Sequence, residues 1–177
     1  MKEDAPKGAL LLIDLLNDFI DPGGTLPCGP AGERAAREAS RLAARFRAAG
    51  RPVIYVCDRH LPDDREFQKW PAHCVDGTWG AEIHPSVARL EGDLVIPKRR
   101  YSGFFGTDLD NRLREMGVNA VTLAGVCTNI CVLYTAVDAS MRGYDVSVVS
   151  DACASYDETA HAFAIRELGN TIKVNIA

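Results

Sequence analysis

"GALLLID", residues 8–14, is a short and almost continuous apolar run that ends on a carboxylate. A strand buried on both faces of a parallel sheet reads this way, whereas a half-exposed strand would alternate polar and apolar residues. Working outward, the turn-rich "DPGGTLPCGP" separates this run from residues 32–49, which are rich in Ala, Arg and Glu, carry apolar residues at helical spacing and stop at Gly50. "RPVIYVCD" (51–58) and "DLVIPK" (93–98) read as the next two strands, and Pro97 suits an edge position because it cannot donate to a sheet ladder. A helix is expected over residues 107–116, a strand at "AVTLAG" (120–125), and a helix over 128–141 with Thr128 or Asn129 as its N-cap. A strand at "YDVSVVS" (144–150), a helix through "DETAHAFAIREL" (157–168) and a last strand at "TIKVNI" (171–176) complete the alternation. The expected fold is a doubly wound three-layer α/β/α domain over residues 1–177, with a mostly parallel six-stranded sheet.

Composition narrows the function classes. The 177 residues are 47% hydrophobic and 25% charged, with a formal net charge of −4, as in an ordinary globular domain. The longest basic run is "KRR" (98–100), so neither a nucleic acid nor an anionic membrane is an expected partner. The start "MKEDAPKG" has no apolar core of an export signal and no stretch reaches membrane-spanning length. Six scattered cysteines then read as cytoplasmic thiols rather than a disulfide framework.

Ligands of doubly wound sheets bind at the carboxyl ends of the strands. Reactive side chains cluster there: Asp14, Asp58 with His60, Lys98, and Cys131 within "GVCTNICV" (125–132). Cys131 falls in the first turn of the expected helix, where free N–H groups and the dipole favour a thiolate, the form a nucleophile needs. Buried packing is the competing reading for a single cysteine. The C-x-x-x-C spacing of Cys127 and Cys131 argues against a C-x-x-C redox pair. Residues 59–92 are too long for a plain connection and hold a second cluster: Asp58 and His60 point the same way in extended backbone, and Glu66 and His73 follow. This carboxylate and imidazole mix suits a divalent metal such as Zn, with Fe or Mn as alternatives. Cys74 and His84 read as structural, and His161 as a surface or packing histidine.

"GVCTNICV", "LLLIDLLNDF", "KRRYSGFFGTDL" and "WPAHCVDGTWGAEIHP" together resemble the isochorismatase-like cysteine hydrolase superfamily, and within it the nicotinamidases. The likeness runs from about residue 8 to about residue 175. It implies Asp14, Lys98 and Cys131 as a catalytic triad, with Cys131 as nucleophile, Asp14 as proton carrier and Lys98 as electrostatic support. It implies a cis peptide bond at Val126-Cys127 and an oxyanion hole formed by the N–H groups of Cys127 and Cys131. Asp58, His60, Glu66 and His73 match the metal ligands, and Phe19, Trp70 and Tyr101 fall where a flat substrate ring is held. The implied reaction is hydrolysis of nicotinamide to nicotinate and ammonia through a thioester, a step of NAD salvage, by a homo-oligomer. "DRHLP" stands where nicotinamidases carry D-W-H-P, so another small amide or carbamoyl compound is the alternative substrate. A non-catalytic metal-binding module of the same fold would be expected to lack a triad member, and here all three are present.

Overall fold

A computed structural model describes residues 8–87 and 89–177. The expectation that the N-terminal segment is not an export signal concerns mainly residues 1–7, which lie outside the described residues. Six strands form one sheet: β1 (Gly8–Ile13), β2 (Val53–Asp58), β3 (Leu94–Lys98), β4 (Ala120–Val126), β5 (Asp145–Ala154) and β6 (Asn175–Ile176). Their order is β3-β2-β1-β4-β5-β6, and every pairing is parallel. The helices are α1 (Asn17–Ile20), α2 (Gly29–Ala48), α3 (Leu109–Glu115), α4 (Leu133–Met141) and α5 (Glu158–Glu167).

The apolar run that opened the chain explains the layering. Leu10 and Leu12 of β1 face one core, with Ala35, Ala36, Ala39 and Leu42 of α2. Ala9, Leu11 and Ile13 face the other, with Leu109 and Leu113 of α3 and Ala136 and Ala139 of α4. Both faces of β1 are therefore buried, which is why its sequence does not alternate. β3 lies at the sheet edge, as Pro97 requires.

Three boundaries differ from the sequence expectation. β5 runs on to Ala154, past the expected end at residue 150, because its register against β4 shifts between Leu123 and Gly125. The expected strand 171–176 is reduced to Asn175–Ile176, since a π-helical turn (Leu168–Ile172) prolongs α5 and Lys173 adopts a left-handed conformation with φ 63°. Ahead of α4 the chain makes a π-helical turn, Thr128–Val132, and neither Thr128 nor Asn129 caps it. The residue before that turn is Cys127, and the Thr128 and Asn129 side chains are engaged elsewhere.

The strand order reverses between β1 and β4, and at such a switch point the carboxyl ends of two adjacent strands open a crevice. Gly125 allows the two strands to meet there. It pairs with Ile13 at φ 133°, and a Cβ at this position would lie 2.0 Å from the Ile13 carbonyl oxygen. Asp14 follows Ile13, and Val126 and Cys127 follow Gly125, so the residues placed at the crevice are set by the topology itself.

Candidate active site

Asp14 leaves β1 with φ 52° and is buried at 1% exposure. Its Oδ1 accepts the Asp58 N–H at 2.8 Å, and its Oδ2 lies 2.7 Å from Lys98 Nζ. The Lys98 ammonium, enclosed at the end of β3, also donates to Asp58 Oδ1 at 2.6 Å and to Cys131 Sγ at 3.4 Å. The structure thus brings Asp14, Lys98 and Cys131 together across three elements. Carboxylate oxygens of Asp14 and Asp58 and the Cys131 sulfur all lie within 4.8 Å of one another.

Burial, reinforced by Asp58, pushes the Asp14 carboxyl up to about 6 despite the pull of Lys98. Burial alone would lower Lys98, but Asp14, Asp58 and Cys131 outweigh it and raise this group well above the ordinary lysine range. Burial is the main effect on the Cys131 thiol and raises it; Lys98 pulls it down, Asp14 and Asp58 push it up, and the thiol stays well above the ordinary cysteine range. The expectation of a resting thiolate in a first helical turn is therefore corrected. At neutral pH the site holds a thiol beside a carboxylate that can accept its proton, with an ammonium touching both.

Asp58 faces two ways. Its Oδ2 lies 3.7 Å from His60 Nε2 and 4.0 Å from His73 Nε2, and all three residues are buried. His60 Nδ1 is bonded to Asp64 Oδ2 at 3.1 Å, and His73 Nδ1 to the Pro71 carbonyl at 2.7 Å. With Nδ1–H donating to those oxygens, each Nε2 presents its lone pair toward Asp58, the orientation that metal-ligating histidines take. His60 Nε2 is buried without a hydrogen-bond partner, an orphaned acceptor that a divalent ion would satisfy. The residues present fit such an ion. Glu66 lies outside this three-residue set; it stands half-buried on the pocket wall, 3.6 Å from Arg100.

The loop that carries His73 is fixed by a residue the sequence reading passed over. Asp18, in α1, accepts the Thr25 N–H at 2.9 Å and the Cys74 N–H at 2.7 Å. Cys74, expected to be structural, is buried at this anchor. Asp18 was hidden because its partners lie up to 56 residues away.

A cavity of about 350 Å³, its open mouth included, reaches Asp58, His73 and Cys131. Phe19, Trp70 and Tyr101 all line it, together with Leu26, Val126, Cys127, Ile130 and Tyr156. Trp70 Nε1 donates to the Tyr101 hydroxyl at 3.2 Å, fixing both rings. Tyr156 was not anticipated, because the expected strand stopped at residue 150; the true end of β5, two residues before Tyr156, is the signal that would have found it. The Val126-Cys127 peptide bond is cis. The Cys127 sulfur lies 3.6 Å from Cys28 Sγ. His161, read as a surface or packing residue, instead meets Thr128 Oγ1 at 2.8 Å through Nδ1.

Chemically, the arrangement offers a sulfur nucleophile that opens on an aromatic pocket, with a proton acceptor and a fixed cation beside it and a metal-competent cluster reaching the same pocket. The Isochorismatase domain model matches residues 8–174. The nicotinamidase/pyrazinamidase PncA of Bacillus subtilis superimposes with a TM-score of 0.92 at 34% identity, covering 97% of this chain and 99% of that one. A pyrazinamidase of Pyrococcus horikoshii in complex with zinc gives 0.91 at 33% identity, covering 97% and 99%. The N-carbamoylsarcosine amidase of Thermoplasma acidophilum gives 0.87 at 36% identity, covering 96% and 95%. On the match of fold, length and sequence, this chain belongs to the isochorismatase family.

Proposed function

We propose that the protein is an amidase that hydrolyses nicotinamide to nicotinate and ammonia through a thioester on Cys131. The observation that carries this reading is the contact of Lys98 Nζ with Asp14, Asp58 and Cys131, the last two of which open on an aromatic pocket. Relatives known as nicotinamidases, from Escherichia coli and Bacillus subtilis, support the choice of substrate.

In this mechanism the pyridine ring enters between Phe19, Trp70 and Tyr101, which hold it flat and exclude water from one side. The carboxamide carbon then faces the Cys131 sulfur. As sulfur attacks, its proton passes to Asp14, which has room for it because burial has made that carboxyl a better base. Lys98 stabilises the negative charge while it moves from Asp14 to sulfur. The oxygen of the tetrahedral intermediate is received by the N–H groups of Cys127 and Cys131. Asp14 returns the proton to nitrogen, ammonia leaves, and the acyl group remains on Cys131. Asp14 then takes a proton from water, which cleaves the thioester and restores the thiol. Asp58, His60 and His73 would hold a divalent metal, for which zinc is our choice, with Glu66 beside them. Such an ion supplies Lewis acidity toward the ring nitrogen and its bound water.

The pocket also bears on the alternative, another small amide or carbamoyl substrate, raised by the likeness to N-carbamoylsarcosine amidase. Aromatic and aliphatic side chains dominate its walls, and Arg100, near Glu66 of that wall, is engaged with Asp64 and Glu66. A flat neutral ring suits these walls better than an acidic aliphatic chain. A non-catalytic module is disfavoured by the complete triad.

Ammonia release from nicotinamide by the metal-loaded protein is expected, and Cys131→Ala should lower it at least about a thousandfold. Equal rates for the two proteins, or turnover confined to carbamoyl compounds, would reject the nicotinamide assignment. Because Asp14 must be ionised to accept the thiol proton and its pKa is raised to about 6, kcat/KM should be lost as pH falls through that value and level off above it. A rate that is flat between pH 5 and 7 would contradict the role of Asp14. Elemental analysis should find close to one divalent ion per chain, and His60→Ala or His73→Ala should lose it while keeping the fold by circular dichroism. Unchanged metal content in both variants would refute the site.

A further inference from the structure

The π-helical turn that carries Cys131 is held from outside at its first two positions. Thr128 is fully buried, and its Oγ1 is 2.8 Å from His161 Nδ1. Asn129 Oδ1 accepts the Ser155 hydroxyl at 2.5 Å. The third outer residue, Tyr156, lines the pocket together with Cys127. All three outer residues come from one segment, residues 155–161, which links β5 to the first turn of α5. That segment is itself fixed: Asp157 accepts the Thr159 N–H through its side chain at 2.7 Å and the His161 N–H through its carbonyl at 3.0 Å.

Inside the turn, the Cys127 carbonyl takes two donors, Ile130 N–H at 3.0 Å and Val132 N–H at 3.2 Å. These bonds close the turn but do not set its direction relative to Asp14 and Lys98. A threonine hydroxyl tends to bond nearby backbone and so to bend its own segment. Here the imidazole draws the Thr128 hydroxyl toward α5 instead. We propose that His161 is a positioning residue for the amide hydrolysis, acting through Thr128 to aim the Cys127–Cys131 turn, with Ser155 holding the next residue, Asn129. This inference rests on the hydrolase reading above and adds a group outside the triad and the pocket lining.

Removing the imidazole leaves a buried hydroxyl without its partner, and the turn must shift to satisfy it. A shift of about 1 Å at an attacking atom costs about a hundredfold in rate. Phe19, Trp70 and Tyr101 stand on other elements, so substrate binding should hardly change.

The test compares wild type, His161→Ala and His161→Gln as metal-loaded proteins, following nicotinamide turnover, thermal midpoint, and the rate at which iodoacetamide alkylates Cys131, read by peptide mass. His161→Ala is expected to lose about 10- to 100-fold in kcat with KM within about twofold, and to alkylate Cys131 about tenfold more slowly. His161→Gln, whose amide can meet the Thr128 hydroxyl, should recover most of both. Wild-type kcat and alkylation in His161→Ala would overturn the proposal. So would losses in both variants that simply follow a fall in thermal midpoint. If wild type releases no ammonia from any amide, the hydrolase reading fails, and the alkylation rates alone still decide whether His161 positions Cys131.

Discussion

The Lys98 ammonium, enclosed by Asp14, Asp58 and Cys131, is the interaction on which the rest of this structure depends. A buried charge is tolerated only when partners surround it, and stripping one partner from such a group typically costs about 3–5 kcal/mol. Two carboxylates at 2.6 and 2.7 Å meet that demand. In meeting it they tie together the ends of β1, β2 and β3, strands that already pair in parallel. The same contacts create the chemistry. Burial, reinforced by the second carboxylate, holds Asp14 at about 6, and burial likewise keeps the Cys131 thiol well above the ordinary cysteine range.

Asp58 joins this charge cluster to the metal-competent one. One of its oxygens serves Lys98 and the other faces two imidazoles whose outer nitrogens are fixed by Asp64 and Pro71. A change in charge at one cluster must therefore be felt at the other through a single carboxylate. This economy suits a reaction in which a ring must be held at one end while a carbonyl attached to it is attacked at the other.

Much of the fold could be read from the chain because parallel strands buried on both faces write continuous apolar runs. "GALLLID" and "VIYVCD" carry that signal, and the residue after or closing each run, Asp14 and Asp58, falls at the sheet rim by topology alone. Pro97 marked the edge strand for an equally local reason. Lys98, Cys131, His60 and His73 were legible through their motifs, and the structure brings them together. What could not be read depends on contacts between distant segments. Asp18 matters because of backbone donors at 25 and 74, Tyr156 because β5 runs past a polar "SDA", and His161 because Thr128 turns toward α5 rather than capping its own turn. The state of the Cys131 thiol was misread for a similar reason: a helix start and a lysine were visible in the sequence, whereas the burial and the two carboxylates that outweigh them were not.

The central claim is that the amide is cleaved by transfer of its acyl group to Cys131 rather than by direct attack of water. Running the nicotinamide reaction in the presence of hydroxylamine tests it most directly, because a thioester is intercepted and a directly hydrolysed amide is not. The account predicts that nicotinohydroxamate appears at the expense of nicotinate while total product still matches the ammonia released, and that Cys131→Ala forms neither. Ammonia and nicotinate produced in equal amounts with no hydroxamate at any hydroxylamine concentration would contradict it.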